Sequence, residues 1–118
     1  MDYAWQISPD GSWIAIARRH GNTIRLVPLG KDQARTIHIN GYSDLTDLSW
    51  AVNSRSFFVP TLGPGGATLL RVDLDGNTQP IWLQPQTTSL WAFSSPDARH
   101  LVISSESRET SVWMLSNF

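Results

Sequence analysis

Ile7-Ser8-Pro9-Asp10-Gly11-Ser12-Trp13-Ile14-Ala15-Ile16 is the stretch on which the reading of this chain turns. Its first half is a tight turn. Pro presets φ, Asp can accept hydrogen bonds from nearby backbone N–H groups, and Gly tolerates positive φ. Its second half is an apolar run of β type. The same pattern returns as Trp50-Ala51-Val52-Asn53-Ser54-Arg55-Ser56-Phe57-Phe58-Val59 and as Ser94-Ser95-Pro96-Asp97-Ala98-Arg99-His100-Leu101-Val102-Ile103. Ser8 and Ala51 lie 43 residues apart, and Ala51 and Ser95 lie 44 apart.

Two further elements keep the same period. Thr23-Ile24-Arg25-Leu26-Val27-Pro28-Leu29 aligns with Thr68-Leu69-Leu70-Arg71-Val72-Asp73-Leu74 and with Ser111-Val112-Trp113-Met114-Leu115. Thr36-Ile37-His38-Ile39 aligns with Pro80-Ile81-Trp82-Leu83. After Leu115 only Ser116-Asn117-Phe118 remains, so the third copy lacks this element. Each unit therefore reads as strands a, b, c and d. Strand a is expected at about 3–7, 46–50 and 89–93, and strand b at about 13–18, 56–60 and 100–104. Strand c is expected at about 23–28, 68–73 and 110–115, and strand d at about 34–39 and 79–83. Asp10-Gly11, Gly21-Asn22, Gly30-Lys31-Asp32, Gly63-Pro64-Gly65-Gly66 and Asp75-Gly76-Asn77 punctuate them. No segment carries a capped helical period.

A four-stranded antiparallel unit of about 40–45 residues has the period of a β-propeller blade. The fold class is thus all-β: two complete blades, about 3–42 and 45–86, and a third, about 88–118, without its outermost strand. A β-sandwich would need three elements to recur in the same order by coincidence. Rings usually close with 4–8 blades. Two blades and three strands cannot close alone, so the chain is expected to be a fragment of a ring or to complete one by oligomerisation. Two copies would give close to six blades.

Ser8-Pro9-Asp10-Gly11-Ser12-Trp13-Ile14-Ala15 and Ser95-Pro96-Asp97-Ala98-Arg99-His100-Leu101-Val102 resemble the WD-repeat-like β-propeller repeat of TolB-type proteins. The same repeat occurs in prolyl-oligopeptidase-like peptidases and at the C-termini of bacterial serine/threonine kinases and winged-helix regulators. The resemblance covers nearly the whole chain. It implies that strand a lines a central channel, and it favours a periplasmic or other extracytoplasmic setting. The copies depart from the pattern at Val52-Asn53-Ser54, where Pro-Asp-Gly would stand, and at Ala98 in place of Gly.

Composition narrows the function. The 118 residues are 41% hydrophobic and 16% charged, a globular balance. Nine basic and ten acidic residues give a net charge of -1 with no Lys/Arg cluster, so no nucleic-acid partner is expected. No apolar stretch approaches the ~20 residues of a membrane helix, and Met1-Asp2-Tyr3-Ala4-Trp5 has no basic segment followed by an apolar one, so no signal peptide is expected within these residues. The chain has no cysteine, which excludes disulfides and thiol chemistry. The Gly-x-Ser-x-Gly hydrolase elbow is absent. His20, His38 and His100 show no metal-ligand spacing, and no metal or cofactor is expected. Asp73-Leu74-Asp75-Gly76-Asn77 lacks the carboxylates of a calcium loop and reads as a hairpin turn. Six tryptophans are expected mainly to fill space between blades; a sugar- or peptide-stacking face is the alternative.

The expected function is a non-catalytic scaffold segment that binds a protein partner or senses a ligand, or else self-associates. An accessory domain of a peptidase or other hydrolase is the alternative. The b–c and d–a loops should share one end of the blades and are the longer and more varied ones. Arg19, His20, Tyr42 and Gln86 are the binding candidates there.

Overall fold

A computed structural model describes residues 3–30, 33–87, 89–106 and 110–116. Blade 1 is β1 (Tyr3–Ile7), β2 (Trp13–Arg18), β3 (Thr23–Pro28) and β4 (Arg35–His38). Blade 2 is β5 (Ser49–Trp50), β6 (Ser56–Gly63), β7 (Gly66–Asp73) and β8 (Thr78–Pro85). Blade 3 is β9 (Ser89–Ser94), β10 (His100–Glu106) and β11 (Thr110–Ser116). Each blade is an antiparallel sheet whose strands pair in chain order, and the described residues contain no helix.

Successive side chains of a strand point to opposite faces, and this period assigns every blade a front and a back. In blade 1 the cross-strand row Ala4–Ala17–Ile24–Ile37 lies on the front, toward blade 2. Blade 2 answers with Phe57, Val59, Leu70 and Val72 on its back. Its front carries Phe58, Ala67 and Leu69, which pack against Leu90, Ala92, Leu101 and Ile103 on the back of blade 3. Both faces of blade 2 are thus dry, and β6 runs as a continuous buried strand from Ser56 through Thr61. Each large side chain so buried contributes roughly 1.5–3 kcal/mol.

Trp50 joins the first two blades at their inner strands. Its indole N–H donates to the carbonyl of Gln6 at 2.8 Å, and its backbone N–H donates to the Gln6 side-chain oxygen at 2.8 Å. The ring meets Phe57 edge to face with centroids 5.2 Å apart. A buried indole is costly unless its N–H finds an acceptor, and here the acceptor belongs to the neighbouring blade.

Two prolines reshape blade 2. The sequence pattern places strand a at about 46–50, whereas β5 holds only Ser49–Trp50. Pro60 in β6 has no N–H for the ladder, and the pairing resumes out of step as an isolated Leu45–Thr61 bridge. Pro80 sits at the register shift where β8 slips by a residue against Leu69 and Leu70 of β7. The β6–β7 hairpin is longer than the pattern suggests. It ends on the Gly63–Gly66 pair, and a Cβ on Gly66 would come within 2.3 Å of the Gln84 carbonyl oxygen.

The a–b turns are built on one design. Asp10 Oδ1 accepts from the Ser12 hydroxyl at 2.6 Å, the Ser8 hydroxyl at 2.8 Å and the Ser12 N–H at 3.0 Å. In blade 3, Asp97 Oδ1 accepts from the Ser95 hydroxyl at 2.6 Å and the Arg99 N–H at 3.0 Å. Blade 2 keeps a reduced version, with Asn53 Oδ1 accepting the Arg55 N–H at 2.9 Å. These are the turns expected from Asp10 and Asp97. The third turn residue is left-handed in every copy: Gly11 at φ 75°, Ser54 at 61° and Ala98 at 61°. Ser54 has a reason to be there. Its hydroxyl accepts the N–H of Asp10 from the neighbouring blade at 3.0 Å. Ala98 has no hydroxyl, so its strain is uncompensated.

Left-handed geometry costs a non-glycine residue roughly 1–2 kcal/mol, offset in part by the ~0.4–1 kcal/mol that glycine adds to unfolded-chain freedom. Ala98→Gly should therefore stabilise the chain by about 0.5–1 kcal/mol in urea titration, and Gly11→Ala, with open space around it, should destabilise it by about as much. A sign reversed at either site contradicts the turn geometry. The same turns make the fold sensitive to acid. Hydrogen bonds from the Ser12 hydroxyl first, then from the Ser12 N–H and Ser8, lower the Asp10 pKa from 3.8 to about 2. The Ser95 hydroxyl lowers that of Asp97 in the same way. A carboxylate with a depressed folded pKa stabilises the fold above its unfolded pKa and loses that effect as pH falls toward the folded value. The thermal midpoint should fall between about pH 4 and pH 2. Asp10→Asn, which mimics Asn53 of blade 2, should flatten that fall.

Candidate functional site

The b–c and d–a loops meet at one end of the blades. The His20 N–H donates to the Leu45 carbonyl at 2.7 Å, and the Leu45 N–H returns to the Gly21 carbonyl at 3.0 Å. His20 Nδ1 lies 2.6 Å from Asp44 Oδ1. Leu62 N–H of blade 2 donates to the Asp44 carbonyl at 2.9 Å, so the loop is fixed from both sides. His20 adopts a left-handed φ of 62°, and its side chain is 74% exposed. The contact is largely exposed and contributes little to stability. Its effect is to orient the imidazole.

Behind His20 lies a cavity of about 220 Å³ lined by Thr46, Asp47, Leu62, Leu90 and Trp91. It draws on all three blades. An aromatic face, a half-buried carboxylate and an imidazole converge there, a polar-edged aromatic recess of the kind that takes a small polar ligand or a partner's side chain.

The four residues singled out from the sequence do not form one cluster. His20 is at the cavity. Arg19, next in the turn, is half-buried. Tyr42 packs against the core between blades 1 and 2. Gln86 is exposed at the far side of blade 2, at φ 56°, and its N–H donates to the Gly65 carbonyl at 3.2 Å. Thr46, Asp47 and Trp91 were not singled out as site residues. Asp47 stands in a loop rather than in strand a because of the Pro60 disruption.

Gln6 and Ile7, Ser49 and Trp50, and Phe93 and Ser94 line one hollow of about 320 Å³. At the opposite end, the a–b and c–d turns of blade 2 frame a polar groove of about 300 Å³ that includes Arg55, Ser56 and Arg71. Among the described residues no three His, Asp or Glu side chains come together as metal ligands. No helix among them is long and apolar enough to cross a membrane.

The tryptophans divide. Trp50 is buried, Trp13 packs on the first core, and Trp82 and Trp113 pack on the second with centroids 5.8 Å apart. Trp91 lines the cavity. Trp5 is 58% exposed on the back of blade 1, beside Tyr3 and Ile7. The front of blade 3 is open as well, with Phe93, Val112 and Met114 55–65% exposed.

No family model and no curated protein matches the chain. Solved structures do. TolB from Acinetobacter baumannii superposes with a TM-score of 0.75 at 13% identity, over 97% of this chain and 29% of that one. A prolyl endopeptidase gives 0.74 at 19% identity, over 97% of this chain and 20% of that one. Hydrazine synthase of Kuenenia stuttgartiensis gives 0.71 at 14% identity, over 97% and 38%. The chain thus spans well under half the length of each. The stacked sheets, their chain-order pairing and these superpositions together give the fold: a run of TolB-like β-propeller blades.

Proposed function

We propose that this chain is a non-catalytic propeller segment that serves as a protein-interaction or ligand-sensing scaffold within a larger ring. One observation carries the reading. Both outermost sheet faces present apolar side chains to solvent, Trp5 and Ile7 on one and Phe93 and Met114 on the other. Monomers rarely leave such faces open. The back of blade 1 and the front of blade 3 are the counterparts of faces already in contact inside the chain. A second copy seated head to tail matches them, and two copies give close to six blades in a closed ring. The exposed recess at His20, Asp47 and Trp91 is the contact surface such a ring offers, held on a rigid frame by the loop hydrogen bonds.

A second reading has a specific support. The likeness to prolyl endopeptidases and to prolyl oligopeptidase B of Galerina marginata, the latter with a TM-score of 0.67, favours an accessory propeller of a peptidase or other hydrolase. A sugar-binding ring is a third, resting on Trp91 in the recess.

Light scattering after size exclusion tests the assembly. The chain should elute at twice its own mass, and Trp5→Lys should return it to the single-chain mass. A monomer that unfolds cooperatively, unaltered by Trp5→Lys, contradicts self-association. Tryptophan fluorescence against an oligosaccharide panel, with Trp91→Ala as control, separates the sugar reading from the protein-contact one.

A further inference from the structure

We infer that the groove at the a–b and c–d end of blade 2 is a binding site for a carboxylate, with Arg71 as its anchor. The internal repeat supplies the comparison. In blade 1 the cross-strand row on the front face is Gln6–Ala15–Leu26–Arg35, and in blade 2 it is Ser49–Phe58–Arg71–Gln79. The cation has moved from strand d to strand c but stays on the same row and face.

At the first interface that row already meets a carboxylate. Arg35 Nη1 lies 4.0 Å from Asp75 Oδ1, on the c–d turn of the following blade. The Arg35 guanidinium also sits 5.8 Å from the centre of the Trp13 ring, which fills the space beneath it. In blade 2 the position of Trp13 is taken by Ser56. The space opens into the groove of about 300 Å³. A smaller recess of about 120 Å³ adjoins it and shares Asn53, Ser56 and Arg71.

Arg71 is half-buried, and no carboxylate among the described residues pairs with it. Asp73 lines the same groove, but its carboxylate is committed to its own turn. Oδ1 accepts the N–H groups of Asp75 and Asn77 at 2.9 Å, and Oδ2 accepts the Asn77 amide at 3.0 Å. Arg55 stands exposed on the rim as a second cation. The guanidinium fork suits a planar carboxylate held by two parallel hydrogen bonds, and Ser56 supplies a hydroxyl donor beside it. The row thus holds a cation with a carboxylate partner in blade 1 and a cation facing an open groove in blade 2.

The full chain is titrated with succinate, with a short extended peptide carrying one central Asp, and with the same peptide carrying Asn. Arginine Nε–H chemical shifts and calorimetry follow binding. Saturable binding is expected, on the order of millimolar for succinate. Arg71→Met should weaken it at least tenfold. Blade 3 already carries Met114 on this row, so the substitution suits the fold. Ser56→Trp, which copies Trp13 of blade 1, should close the groove and abolish binding with the thermal midpoint retained. An Asp peptide binding at least tenfold tighter than succinate identifies a peptide strand as the source of the carboxylate; equal affinities identify a free acid. The inference is overturned if neither probe saturates, if the Asn peptide binds as tightly as the Asp peptide, or if Arg71→Met binds like the parent chain.

Discussion

A short antiparallel sheet buries nothing by itself, and that constraint organises this molecule. Each blade needs a neighbour on both faces, because alternation along its strands places apolar side chains on both. Blade 2 meets the requirement. Phe57, Val59, Leu70 and Val72 lie against blade 1, while Phe58, Ala67 and Leu69 lie against blade 3. Front-to-back stacking then repeats without limit until a ring closes. The Trp50–Gln6 bonds at the inner strands and the Ser54–Asp10 bond at the turns fix how the first two blades sit on one another.

Much of this could be read from the sequence because the turns and the alternation repeat together. Asp10 and Asp97 after proline announce turns in which the carboxylate accepts a backbone N–H, and the structure forms both and adds the Ser8 and Ser95 hydroxyls. Asp73 through Asn77 folds as a hairpin turn, as its missing calcium ligands suggest. The pattern did not convey local strand length. Pro60 removes a ladder donor from β6, which shortens β5 to Ser49–Trp50 and leaves Thr46 and Asp47 in a loop. The Gly63–Gly66 turn is tight rather than loose, so β6 and β7 both outrun the apolar core that marks them.

The candidate sites were harder to read, for a related reason. Loop position alone suggested Arg19, His20, Tyr42 and Gln86, and only His20 reaches the recess. Tyr42 is a partly buried aromatic packed against the core between blades 1 and 2. The aligned copies hold Leu26, Arg71 and Met114 at one position. A charge where the repeat elsewhere has apolar residues is a local break in consistency, and such breaks concentrate at functional positions. The two ends of the blades thus offer different chemistry: an imidazole, a carboxylate and an indole at one, and the guanidinium groups of Arg55 and Arg71 at the other.

Methyl and aromatic NOE spectroscopy tests the stacking most directly. Contacts should fall into two separate sets. Ile24, Leu26 and Ile37 should connect to Phe57, Val59, Leu70 and Val72, whereas Phe58 and Leu69 should connect to Leu90, Leu101 and Ile103. Cross-peaks joining Ile24 or Leu26 to Leu101 or Ile103 within one chain would mean that blades 1 and 3 meet as the two layers of a closed sandwich, and would contradict the account.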